Sequence, residues 1–211
     1  MRCTNKVYLA ELLERHDVAT PRTIVTHRDN LEEVVAILGF PCVLKKPDSA
    51  FSAGVVKVND RDELSARLEE YFADSDLVVA QEFLPTEFDW RIGIIDRQPL
   101  YAAKYYMAQG HWQIIKQDRE DDSRYGKAEV MPIELAPRRA VNAALKAANL
   151  IGDGLYGVDV KQSKGKFYVI EVNDNPNLDA GVEDRVLRDE LYRRIMSVFL
   201  KRIEQRKAPT H

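Results

Sequence analysis

Two runs late in the chain alternate apolar and polar residues with the period of a strand, Leu155 to Gln162 and Lys166 to Asn173. Ser163-Lys164-Gly165 between them supplies a turn, so the pair predicts a hairpin. Val158, Val160, Val169, Ile170 and Val172 make both strands apolar enough to lie centrally in a sheet. Upstream, Val7, Leu9, Ala10, Leu12 and Leu13 form a helical stripe over Asn5 to His16, and Pro21 leads into a short strand, Thr23 to Thr26. Asp29 and Glu32 read as a capping box for a helix with Leu31, Val34, Val35 and Leu38 inward, stopped by Gly39 and Pro41. Cys42 to Lys46 and Gly54 to Val58 read as strands around a loop from Pro47 to Ala53. Asp60 and Glu63 cap a helix running through about Phe72.

Leu77 to Phe83 is a buried strand that breaks at Leu84-Pro85, where the chain is expected to cross to a second lobe. Asp89 to Ile95 and Leu100 to Tyr106 follow as strands joined by a turn, with His111 to Ile115 as another. Lys116 to Lys127 is highly charged, lacks apolar periodicity, and predicts a mobile loop, first of all a solvated connection, with a lid over a site as the alternative. Pro137 opens a helix through about Asn149. A long closing helix is expected from Val182, with Leu187, Leu191, Ile195, Val198 and Ile203 at helical spacing.

The hairpin carries three oxygen-bearing side chains, Asp159, Glu171 and Asn173. Glu171 and Asn173, two apart, share a face. If Ser163-Lys164-Gly165 is a three-residue loop, Gln162 pairs with Lys166 and Asp159 lies opposite Val169, on the face of Glu171. A two-residue Lys164-Gly165 turn instead pairs Asp159 with Ile170 and sends the carboxylates to opposite sides. The chemistry favours the odd loop: two carboxylates on one strand face repel unless a cation lies between them, and a carboxylate, carboxylate, amide set suits magnesium. Magnesium usually also takes substrate phosphates, which predicts a nucleotide. A lysine ending an apolar strand before a loop of small residues presents an ammonium to phosphates, making Lys45 a candidate, while Lys46 points the other way. Asp89 and Arg91 share a face, and as a local ion pair they would contribute little.

At 211 residues with 45% hydrophobic content the chain can bury a substantial core. A net charge of -3 gives no reason to expect nucleic acid or a membrane as partner. Cys3 and Cys42 have neither metal nor disulfide spacing, which fits a reducing cytoplasm, and no apolar run approaches membrane-spanning length. The four scattered histidines suggest no metal site, and composition does not set an oligomeric state.

Asn5-Lys6 at the head of the first helix, Val43-Leu44-Lys45, Gln81-Glu82-Phe83-Leu84, Asp89-Trp90-Arg91, Gly157-Val158-Asp159-Val160 and Ile170-Glu171-Val172-Asn173 together resemble the ATP-grasp fold. Within it the chain, with Val172-Asn173-Asp174-Asn175-Pro176-Asn177, is similar to the RimK-like glutamate ligases. The resemblance implies an α+β fold of two lobes with mainly antiparallel sheets clamping ATP. A leading helix would occupy residues 1–20, a small lobe 21–83, and a large lobe 84–207 with the metal hairpin and closing helix. It implies Asp159, Glu171 and Asn173 as ligands of magnesium, with manganese as a substitute, and Lys6 and Lys45 on the phosphates. Glu82 and Phe83 match the adenine-side hinge, Asp89 a position near the ribose, and Arg91 a place toward the phosphates or the acceptor carboxylate. The activity implied is ATP-dependent joining of a carboxylate to an amine through an acyl phosphate, with glutamate or another amino acid added to a peptide or small acceptor. The alternative is a nucleotide-binding module without ligase activity. The family's glycine-rich phosphate loop is Ser49 to Ala53 here. Lys6 lies so close to Met1 that the resemblance implies a catalytic module cut free of a longer protein, or a minimal relative.

Overall fold

The structure, a computed structural model, describes residues 5–48, 54–115 and 126–207. Its first half builds helix α1 (Lys6–Arg15), strand β1 (Thr23–Thr26), α2 (Leu31–Leu38), β2 (Cys42–Lys45), β3 (Val55–Val58), α3 (Arg61–Tyr71) and β4 (Val78–Glu82). The second half adds β5 (Phe88–Ile95), β6 (Gln98–Tyr106), β7 (Ala128–Met131), α4 (Arg138–Ile151), β8 (Leu155–Ser163), β9 (Lys166–Asn173) and α5 (Asp189–Lys207). Two antiparallel sheets result, ordered β1-β4-β2-β3 and β7-β6-β5-β8-β9.

Alternation assigns each sheet its faces. In the first, Leu44, Val58, Val78 and Ala80 are buried with Val34 and Leu38 of α2 and Leu64 and Leu68 of α3. In the second, Trp90, Ile92 and Ile94 of β5 and Val158 and Val160 of β8 pack with α4 and with Leu9 and Leu13 of α1. Ala140, Ala144, Ala147 and Ala148 line the buried side of α4, and their small side chains bring the helix close to the sheet. The opposite face of this sheet is divided. Ile95, Leu100 and Tyr101 are covered by Leu191 and Ile195 of α5, whereas the end carrying Asp89, Arg91 and Asp159 is left facing the first sheet.

The β8–β9 hairpin departs from the expected turn and reaches the same result by another route. Lys164 and Gly165, with φ of 49° and 73°, form a two-residue turn, and Ser163 pairs with Lys166. Left alone, this register would split the carboxylates. A β-bulge then inserts one extra residue, Ile170, so that Val160 pairs with Val169 but Asp159 pairs with Glu171 and Gly157 with Asn173. Val169 and Val172 are both buried in the α4 core although three residues apart, a spacing that an unbroken strand forbids and the bulge allows.

Other expected elements shift for identifiable reasons. The second helix starts at Leu31 after Asn30, whose amide nitrogen donates to Glu33 Oε2 at 3.2 Å, one residue later than an Asp29 cap requires. Asp60 caps α3 by accepting the Glu63 amide at 2.9 Å, but the Glu63 carboxylate accepts from Asn59 instead. Residues 112–114 bend rather than extend, and of 111–115 only Ile115 makes a bridge. The closing helix begins at Asp189, because Glu183–Arg185 form a short 3-10 helix and Arg188 adopts a φ of 49°, which interrupts helical propagation. Ser49 to Ala53 and residues 116–125 of the charged loop lie outside the described residues.

Candidate active site

A cleft of about 850 Å³, open to solvent, separates the two sheets. Lys6, Val43, Lys45, Gln81, Glu82 and Phe83 line one side, and Asp89, Asp159, Lys161, Ile170 and Glu171 the other. Seven of the nine residues expected at a site therefore line this cleft, and the other two, Arg91 and Asn173, do not line it but both contact Asp159 at its wall.

Lys6 is positioned by the start of α1. Asn5 caps the helix, accepting the Tyr8 amide at 3.0 Å, and its own amide donates to Asp48 at 3.0 Å, while the Lys6 N–H donates to Pro47 O at 2.9 Å. The head of the helix is thus tied to the exit of β2. The Lys6 ammonium reaches Glu171 Oε1 at 3.8 Å across the cleft. Lys45, at the end of β2, donates to Gln81 Oε1 at 2.7 Å; Gln81 Nε2 in turn donates to Thr23 Oγ1 at 2.9 Å, and Thr23 to Pro21 O at 2.8 Å. This chain crosses β2, β4 and β1 and fixes the ammonium toward the cleft. Burial, with Lys6 and Lys161 adding repulsion, pushes Lys45 down to about 8 against the pull of Glu171. Lys46 points away, as alternation requires, and pairs with Asp74 at 2.9 Å.

On the facing sheet, Asp89, Arg91, Asp159 and Lys161 interlock in two buried ion pairs. Arg91 grips both oxygens of Asp159, with its Nη2 donating to Oδ2 at 3.0 Å, and lies over the Tyr105 ring at 5.2 Å. Lys161 Nζ donates to Asp89 Oδ1 at 2.6 Å and Thr86 Oγ1 at 2.7 Å. Asp89 and Arg91 are thus paired with the neighbouring strand and not with each other, and burial holds the Asp89 carboxyl above its ordinary value against the opposing pull of Lys161. Gly157 makes room for the Arg91 side chain: a Cβ there would stand 3.0 Å from Arg91 Cδ and 2.8 Å from Pro176 Cβ.

Asn173 Nδ2 donates to Asp159 Oδ2 and Gly157 O, both at 3.3 Å. Two carboxylates in register and one amide oxygen on the same face form an all-oxygen donor set that fits a small divalent cation, with waters and phosphate oxygens completing the shell. Among the described residues no group of three His, Cys, Asp or Glu side chains converges as a metal site, so the amide is needed to make a third protein ligand.

Glu82 lines the cleft, but its carboxylate turns to Arg22, whose Nε donates at 3.1 Å and holds it below the usual carboxylate range. What this junction offers a ligand is therefore backbone, from Phe83 to Thr86, beyond the end of β4. Phe83 meets Trp112 edge to face at 5.9 Å, and Lys57 Nζ stands 5.0 Å above the Phe83 ring, closing an apolar end of the cleft.

Several residues at the site were not singled out from the sequence. Lys161 was readable, since it follows Asp159 by two on β8 and must share its face. Trp112 carries no local signal, and Gln81 enters only as part of the Gln81-Glu82-Phe83-Leu84 run, with no role of its own. Nor does Glu183, which is 1% exposed, accepts the Tyr105 hydroxyl, and takes the Asp179 amide at 2.7 Å. Through Tyr105 it supports the Arg91 guanidinium from below.

The chain is similar to known proteins over most of its length. The chain is 28% identical over 192 residues to a probable alpha-L-glutamate ligase of Vibrio vulnificus, covering 89% of this chain and 60% of that protein. It is 28% identical over 183 residues to the alpha-aminoadipate–LysW ligase LysX of Sulfolobus acidocaldarius, covering 83% and 62%. It thus spans about 60% of the length of these relatives. Among solved structures, D-alanine–D-alanine ligase from Bacillus anthracis complexed with ATP superposes with a TM-score of 0.74 at 24% identity, over 98% of this chain and 69% of that one. The fold is the α+β ATP-grasp fold, as the resemblance implied. The profile of the RimK-like ATP-grasp domain matches residues 3–186, and the chain belongs to that family.

Proposed function

We propose that this protein is an ATP-dependent carboxylate–amine ligase, with ATP bound in the cleft between a lobe of residues 21–83 and a lobe of residues 84–207, and helix α1 (Lys6–Arg15) of the leading segment spanning the two. The observation that carries the reading is the opposition of Lys6 and Lys45 to Asp159, Glu171 and Asn173. An ammonium desolvated enough to titrate near 8 lacks sufficient counter-charge, and a polyphosphate supplies it. Lys6 and Lys45 hold the phosphates, the backbone at Phe83, just past Glu82, meets the base, and Asp89 stands near the ribose. Asp159, Glu171 and Asn173 hold magnesium, or manganese in its place, which when bound offsets negative charge on the phosphates. Arg91, locked by Asp159 and Tyr105, directs its remaining N–H groups toward the transferred phosphate or the acceptor carboxylate.

In the reaction a substrate carboxylate oxygen attacks the γ-phosphorus and ADP departs. The nitrogen of an amine then attacks the acyl carbon, loses its proton, and releases phosphate. No protein nucleophile is required. The names of the relatives support amino acids or peptides as substrates. The sequence spacing of Cys3 and Cys42, with neither a metal nor a disulfide pattern, supports a reducing compartment such as the cytoplasm, and among the described residues no helix is long and apolar enough to cross a membrane.

Phosphate release from Mg-ATP with pooled amino acids or acidic peptides tests the reading. Release that depends on an added acceptor is expected. The second reading, a nucleotide-binding module that does not ligate alone, draws on the chain covering only about 60% of its relatives. ATP binding without turnover under any acceptor would favour it.

A further inference from the structure

The inner side of α5 is accounted for: Leu191 and Ile195, with Val198 beside them, pack on Ile95, Leu100 and Tyr101. Its outer side carries a second apolar row, Met196, Phe199, Leu200 and Ile203, and Met196 and Leu200 are 65% and 56% exposed. The two rows are turned roughly 120° from each other at about 100° per residue. Ile203, which helical spacing alone assigns to the core, belongs to the outer row and is 49% exposed.

Asp189, Arg193, Met196, Leu200, Ile203 and Lys207 are separated alternately by four and three residues, the spacing of a two-helix seam. All six are exposed. The seam opens on Asp189 and closes on Lys207, with Arg193 one step inside, so the charges at its two ends choose the partner and the direction. Two such helices side by side in parallel would set acid against acid and base against base. Antiparallel, about a two-fold axis near Val198, Met196 meets Leu200 of a second copy, the aliphatic stem of Arg193 covers Ile203, and Asp189 meets Lys207. Phe199 then lies beside its own counterpart. Two nearby arginines do not oppose this, because Arg194 is paired with Glu190 at 2.9 Å and Arg202 with Asp96 at 2.8 Å.

We infer that the outer face of α5 is a two-fold, antiparallel self-association surface that pairs two copies of this chain. Four apolar side chains per copy put the contact at the low end of specific interfaces, so pairing depends on concentration.

Sedimentation velocity of the full chain over a wide concentration range tests this. The expected result is a shift from a 24.2 kDa species toward twice that mass. Leu200→Glu should abolish the shift, with Ile203→Glu as the second variant if the first melts early. Asp189→Lys should weaken association about tenfold by replacing attraction with repulsion at both ends, and Asp189→Lys combined with Lys207→Asp should restore it. A monomer at every concentration, a dimer indifferent to Leu200→Glu, or a charge-exchanged variant no stronger than Asp189→Lys would overturn the proposal.

Discussion

Glu171→Gln is expected to lower acceptor-dependent ADP release on the order of 10²–10³-fold, the loss typical when one electrostatic contact to a reacting centre is removed, while leaving thermal stability nearly unchanged. Its ion pair to Lys6 at 3.8 Å joins a carboxylate about one-third exposed and is worth little to folding. Asp159→Asn should reduce turnover similarly but also destabilise the fold. Arg91 is held by both Asp159 oxygens, and the two side chains are 15% and 13% exposed. Asparagine keeps one acceptor and removes the counter-charge, at a cost of roughly 3 kcal/mol, or a fall in melting temperature of about 6–12 °C for a chain of this size. A coupled ADP assay beside a thermal melt separates the two effects. Unchanged ADP release in either variant would remove the metal assignment.

Lys45→Met is expected to move stability and binding in opposite directions. Its ammonium is disfavoured by burial in the ligand-free fold, and a methionine of similar length removes that penalty at the loss of the Gln81 hydrogen bond. Melting temperature should rise by a few degrees at neutral pH, while affinity for an ATP analogue falls roughly a hundredfold through loss of a charged contact. The pH dependence has a definite sign. The folded value is about 8 and the ordinary one 10.5, so between them the unfolded chain holds a proton that the folded chain lacks. Stability of the wild type therefore gains from Lys45 as pH rises through that window, and the advantage of the variant disappears above it. Affinity of the wild type for the nucleotide should decline above pH 8, whereas the variant should show no decline from this group. Calorimetric titration across the window distinguishes these behaviours, and a wild-type affinity flat across it would show that Lys45 does not face the phosphates.

Where period and chemistry agree, the fold is legible from residues alone. Thr23–Thr26 forms the strand its apolar run predicts, and Lys45 points to the cleft because Val43 and the strand period say so. The hairpin is more instructive. Requiring the carboxylates to share a face gave the right outcome with the wrong turn, since a bulge at Ile170 and not a longer loop corrects the parity. The signal was present in the spacing of Val169 and Val172, three apart and both apolar, but it competes with the neighbouring Ile170 and is visible only once the core face is known. Long-range placement left no local trace. Glu183 reaches Tyr105 from a segment that the helical period assigned to α5, and Trp112 meets Phe83 from a segment that reads as a strand. Arg91 and Asp159 lie 68 residues apart, and only the β5–β8 pairing makes them partners.

The central claim is that Asp159, Glu171 and Asn173 hold a divalent ion against a nucleotide's phosphates. Manganese titrated with a non-hydrolysable ATP analogue and followed by the electron paramagnetic resonance of the free ion tests it without any substrate. The wild type should deplete the free-manganese signal beyond what the nucleotide alone removes, and Asp159→Asn combined with Glu171→Gln should not. Equal depletion by the wild type and the double variant would contradict the account.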